Sequence, residues 1–120
     1  MKRVLFVDDD PLALQAVASV MRSKRHEWEM VYVSNPAVAL ETLSRRTFDA
    51  VVSDFRMNEM DGVQLLGQVA EKFPETRRLL LTAESNADEV RARAASVAHV
   101  VLEKPCTGEQ LREALSKTLG

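Results

Sequence analysis

The sequence predicts an α/β fold: one domain with a five-stranded parallel sheet covered by helices on both faces. Three observations predict it. Five short, nearly continuous apolar runs recur along the chain, the signature of strands buried on both faces. Segments with helical spacing separate them, so strand and helix alternate five times. At 120 residues, with 46% hydrophobic and 28% charged residues, the chain can bury a core as a single unit.

The runs are RVLFV (3–7), MVYV (30–33), DAVVS (49–53), RLLLT (78–82) and HVVL (99–102). The first helix places Leu14, Val17 and Met21 on one face, with Asp10 as N-cap and Pro11 at its first position. The second begins at Asn35-Pro36 and carries Val38, Leu40 and Leu43. The third begins at Asp61, with Gln64 completing a capping box, then Leu65, Leu66 and Val69. Ser85 caps a polar fourth helix rich in Ala and Arg. Thr107 with Gln110 opens a fifth, carrying Leu111, Leu115 and Leu119. Trp28, Tyr32 and Phe6 are expected in the packing, and Phe55 over whatever lies beside it.

Bulk composition excludes several roles. Sixteen basic and eighteen acidic residues leave a net charge of −2, so nothing favours nucleic acid. The single cysteine, Cys106, excludes an internal disulfide and suits a reducing cytoplasmic setting. The opening MKRVLFVDDD is too short and too acidic at its end for a signal peptide or membrane span.

Ligands of open α/β sheets bind at the carboxyl ends of strands. There stand Asp8, Asp9 and Asp10 after the first run, Asp54 after the third, Thr82 at the fourth and Glu103-Lys104-Pro105 at the fifth. Asp is depleted in strands and rarely buried unless paired, so Asp54 raises a question. Adjacent carboxylates repel unless a cation is present. Asp8, Asp9 and Asp54 together make an all-oxygen site suited to Mg2+, which takes one or two carboxylates, keeps waters and is completed by phosphate. Thr82 adds a hydroxyl and Lys104 a point charge for phosphate. The set fits phosphoryl transfer to Asp54, which would carry an aspartyl phosphate.

The stretches VDDDP (7–11), VVSDFRMNEMDG (51–62), LLLTAES (79–85) and EKPCT (103–107) resemble, in order and spacing, the receiver domain of two-component response regulators. The resemblance covers residues 1–120. It fits a stand-alone regulator or a domain of a longer chain with a C-terminal output domain. It implies a flavodoxin-like sheet of order 2-1-3-4-5 and a phosphoryl group passed to Asp54 from a phosphohistidine of a histidine kinase or phosphotransfer protein. It further implies Mg2+ held by Asp9, Asp54 and the backbone carbonyl of Arg56, with Asp8 acting through water. Lys104 would pair with the phosphate, Thr82 would move to bond it, and the small Ala83 would leave room for a backbone N–H. The Lys104–Pro105 bond is expected to be cis. The chain would catalyse only its own phosphorylation and dephosphorylation, and its task would be switching an output domain or partner, with a phosphorylation-dependent homodimer as one form of output.

Some positions depart from the family pattern. Asn58 replaces a usual proline, which should loosen its loop by up to about 1 kcal/mol. Val101 replaces the aromatic switch residue, with His99 as a substitute two positions earlier. Arg56 and Glu84 are expected to pair across the site and lengthen the phosphate's lifetime. SKRHEWEM (23–30) resembles receivers fused to HD-type output domains. Two other readings compete. One is a degenerate receiver that serves only for docking. The other is a haloacid-dehalogenase-type phosphatase with Asp8 as nucleophile, Asp10 as acid/base and Ser53 or Thr82 with Lys104 in support, although Leu12 and the missing late acidic pair depart from it.

Overall fold

The structure is a computed structural model that describes residues 1–83 and 87–120. Strands β1 (Lys2–Val7), β2 (Trp28–Val33), β3 (Ala50–Asp54), β4 (Arg77–Ala83) and β5 (Val100–Lys104) alternate with helices α1 (Pro11–Met21), α2 (Pro36–Arg45), α3 (Gly62–Lys72), α4 (Ala87–Ala94) and α5 (Gly108–Leu119). The sheet order is β2-β1-β3-β4-β5, and every neighbouring pair is parallel.

Four of the helix starts have a local cause among the described residues. Asp10 accepts from the Leu12 N–H at 3.0 Å ahead of Pro11. Asn35 caps α2 ahead of Pro36. Asp61 with Gln64 and Thr107 with Gln110 each form a complete capping box. The Ser85 cap expected for α4 lies outside the described residues.

The sheet divides the core. On one face Leu5, Val7 and Val51 meet Ala39 and Leu43 of α2, Leu65, Leu66 and Val69 of α3, and Val90 and Ala94 of α4. On the other, Val4, Phe6 and Val52 meet Leu14 and Met21 of α1 and Leu111 and Leu115 of α5. Trp28 is buried there, and Phe6 stacks on Tyr32 with centroids 5.1 Å apart. Side chains alternate across a strand, so successive residues of β1 feed opposite cores.

Three sequence expectations are corrected. Val38 is 47% exposed, and α2 buries Ala39 in its stead. β2 begins two residues early, because Trp28 pairs with Lys2 and Glu29 with Arg3. Glu29 sits on an edge strand, where charge is tolerated; it forms an ion pair with Arg3 (3.3 Å) and accepts a hydrogen bond from Arg46. These guanidiniums hold its carboxyl below the ordinary value, the Arg46 hydrogen bond contributing most. Finally, β3 starts at Ala50 and β5 at Val100, each one residue after its apolar run begins, while β3 ends on Asp54 and β5 runs on to Lys104 as expected.

Candidate functional site

Register brings the polar residues together. Val7 aligns with Ser53, so Asp8 lies beside Asp54, the last residue of β3. Asp54 aligns with Leu81, one residue before Thr82, and Ala83 aligns with Lys104. Asp8, Asp54 and Thr82 are buried, Thr82 to 1% exposure and Asp54 to 9%. Asp9 is half-buried, while Arg56 and Ala83 are exposed.

The backbone around Asp54 is pinned on three sides. The Ser53 hydroxyl donates to the Asp54 carbonyl at 2.9 Å. The Phe55 N–H donates to the Leu81 carbonyl at 2.9 Å, and the Gly62 N–H to the Phe55 carbonyl at 2.8 Å. Gly62 must be glycine for packing: a Cβ there would run into the Asp54 carbonyl and lie 2.6 Å from Leu80 Cδ1. The start of α3 is thereby pressed against the end of β3.

Each of the three carboxylates has one oxygen held. Asp8 Oδ1 accepts from the Asp10 N–H at 2.9 Å. Asp9 Oδ2 accepts from the Asn58 N–H at 2.9 Å. Asp54 Oδ1 is paired with the Lys104 ammonium, and the Lys104–Pro105 bond is cis. Burial pushes the Asp8 carboxyl above its ordinary value, and the negative charges of Asp54 and Asp9 push the same way; the Asp10 N–H and Lys104 oppose them.

This donor set suits a hard divalent cation. Among the described residues no three acidic, His or Cys side chains close into a ready cage. Mg2+ does not require one, since it uses one or two carboxylates with waters and phosphate. A groove of about 300 Å³ between α1 and α5 adjoins the site, lined by Asp8, Lys104, Pro105, Val17 and Leu111 among others.

Other expectations meet the structure differently. Lys104 forms its ion pair with Asp54. Glu84 lies outside the described residues, and with it the pairing expected with Arg56. His99 cannot stand in for a switch residue. It precedes β5 at the opposite edge of the sheet, where its Nδ1 accepts the Arg78 N–H at 3.0 Å. Val101 aligns with Leu80 and packs on the α3–α4 side of the core. Phe55 is half-buried beside the site, with the Arg93 guanidinium 5.6 Å above its ring. Arg93 also bonds Asp61 Oδ2 at 2.9 Å, a tie from α4 to the start of α3 that the sequence pattern did not signal.

Known proteins resemble the chain throughout its length. The transcriptional regulatory protein GlrR of Escherichia coli K12 is 31% identical over 97% of this chain, which spans 26% of that protein. The signal receiver domain of an HD domain-containing protein from Pseudomonas fluorescens Pf-5 is 26% identical, with a TM-score of 0.88 over 98% of this chain and 86% of that one. The response regulator TrrA of Thermotoga maritima, solved in complex with Mg2+ and BeF, shares the fold at a TM-score of 0.84 and 24% identity, over 98% of this chain and 99% of that one. The model of the response regulator receiver domain matches residues 4–116. With the sheet order, the strand-end carboxylates and the Lys104–Asp54 pair in place, the chain belongs to the receiver domains of two-component response regulators.

Proposed function

We propose that the chain accepts a phosphoryl group on Asp54 from a phosphohistidine of a sensor kinase or phosphotransfer protein. The observation that carries this reading is the buried Asp54 carboxylate, with one oxygen bound by Lys104 and two further carboxylates beside it. Lys104 occupies Oδ1, so Oδ2 is the attacking atom. A bond forms from Oδ2 to phosphorus as the P–N bond of the donor breaks. The donor imidazole, protonated on its other nitrogen, leaves neutral. The chemistry needs mainly positioning and charge neutralisation. Lys104 shifts from the carboxylate to the new phosphate, Thr82 supplies a hydroxyl, and the exposed Ala83 gives a backbone N–H room to approach.

Asp9, Asp54 and the Arg56 carbonyl would hold Mg2+, with Asp8 acting through water. Bound there, Mg2+ supplies Lewis-acid neutralisation of the phosphoryl oxygens. The chain promotes only its own phosphorylation and the hydrolysis of its own aspartyl phosphate; its task is to switch. α4 is the shortest of the helices and is charged at four of its eight positions, ADEVRARA, so we take it as the element easiest to shift. GlrR is a transcriptional regulatory protein about four times the length of this chain, which supports an output domain or partner as the receiver of the switch.

The decisive experiment is intact mass after incubation with a small phosphodonor and Mg2+. Wild type gains one phosphate; Asp54→Ala gains none, and EDTA abolishes the gain. No adduct on wild type, beside a labelled control receiver, would favour the docking module.

A further inference from the structure

We propose that the backbone amide of Asn58 is a positioning group for the cation site, acting through a hydrogen bond to a metal-ligand carboxylate that a proline at that place could not make. The Asn58 N–H reaches Asp9 Oδ2 at 2.9 Å across 49 residues of sequence and joins the loop after β3 to the loop after β1. A proline at position 58 would order the loop through its fixed φ, but it has no N–H to give. This chain gives up that constraint and gains a bond to a charged acceptor, a strong class of hydrogen bond.

The bond has two consequences for a cation. A carboxylate has about four lone-pair sites on two oxygens, and the amide takes one of them on Oδ2. Asp9 is therefore held in one orientation with coordinating capacity to spare. Arg56, whose carbonyl would be a further ligand, lies in the same loop two residues before Asn58. Tying Asn58 to Asp9 fixes that segment relative to the carboxylate, so two ligands from different loops are set against each other before any ion arrives. Asp8 and Asp54 are restrained in the same way by the Asp10 N–H and by Lys104. Losing a partner that orients a metal ligand typically weakens affinity by roughly 10–100-fold.

The inference rests on the Mg2+ reading given above, and its test separates the two. Amide exchange by NMR is measured on wild type and Asp9→Ala, with and without Mg2+. Calorimetric titration with Mg2+ is run on wild type, Asn58→Ala and Asn58→Pro, with thermal melts to check folding. The Asn58 amide is expected to exchange about tenfold faster in Asp9→Ala, and to stay protected in wild type when Mg2+ is added. Asn58→Ala keeps the N–H and binds Mg2+ like wild type, whereas Asn58→Pro binds it about tenfold more weakly. Equal exchange in wild type and Asp9→Ala overturns the proposal, as does equal Mg2+ affinity of the Ala and Pro variants. A wild type that takes up no Mg2+ while Asp9 still protects Asn58 overturns the metal reading and the positioning role with it, and leaves the bond standing.

Discussion

Asp54 is tolerable at a strand end because Lys104 meets its charge. Lys104→Met removes that charge and the group that would follow the phosphate. It should slow phosphorylation by a small donor about a hundredfold, read by intact mass against time, while circular dichroism stays native. Gly62 makes a different demand. A Cβ there would meet the Asp54 carbonyl and Leu80, so Gly62→Ala should destabilise the domain by about 1–3 kcal/mol, measured by urea unfolding. An unchanged midpoint would mean that α3 can lift off β3 freely. The chemical residues were readable in sequence because carboxylates, a hydroxyl and a lysine are improbable together at apolar strand ends. The need for glycine at 62 was not, since close approach of two backbones leaves no trace in composition. Nor was the Asn58 amide bond, because every residue but proline carries the same N–H.

Elements were legible where caps and periodicity agreed. α1, α3 and α5 begin where Asp10, Asp61 and Thr107 place them. α2 misled because it buries a small residue: Ala39 lies close against the sheet while the larger Val38 faces outward. The start of β2 was hidden by Glu29, a charge made acceptable by arginines far away in sequence. The β4–β5 edge carries its own pH response. Burial first, then the charges of Arg78 and Arg77, lowers the His99 pKa from 6.5. The fold thus favours the neutral ring, whose Nδ1 accepts the Arg78 N–H. That contribution is full above pH 6.5 and is lost as pH falls from there through the lowered folded value. His99→Gln should show a smaller drop in Tm than wild type between about pH 7.5 and about pH 5.5, modest because the ring is exposed. At α4, Arg93→Ala removes the tie to Asp61 and the cover over Phe55. Stability should fall by less than about 1 kcal/mol, yet amide exchange in α4 should rise while α1 and α5 stay unchanged. If exchange in α4 stays at the wild-type rate, the tie does not restrain that helix.

For the whole molecule, parallel strands and right-handed crossovers deliver all carboxyl ends to one rim. That global rule is why the site could be assembled from sequence before any distance was known. A partner must approach this rim, and Leu12 stands on it, 71% exposed in the first turn of α1. Leu12→Lys should slow transfer from a phosphohistidine protein about tenfold and leave labelling by a small phosphodonor unchanged; equal slowing of both would mean damage to the site itself. The opposite rim holds different residues: the Arg3–Glu29–Arg46 cluster, Asp49 accepting the Arg3 N–H at 2.7 Å, and His99. Changes on the two rims share no partner and are separated by the length of the strands, so their effects should add. Such a domain can be hardened at one end while its signalling allegiance drifts at the other. Duplicated copies can therefore diverge in whom they answer to without renegotiating how they fold.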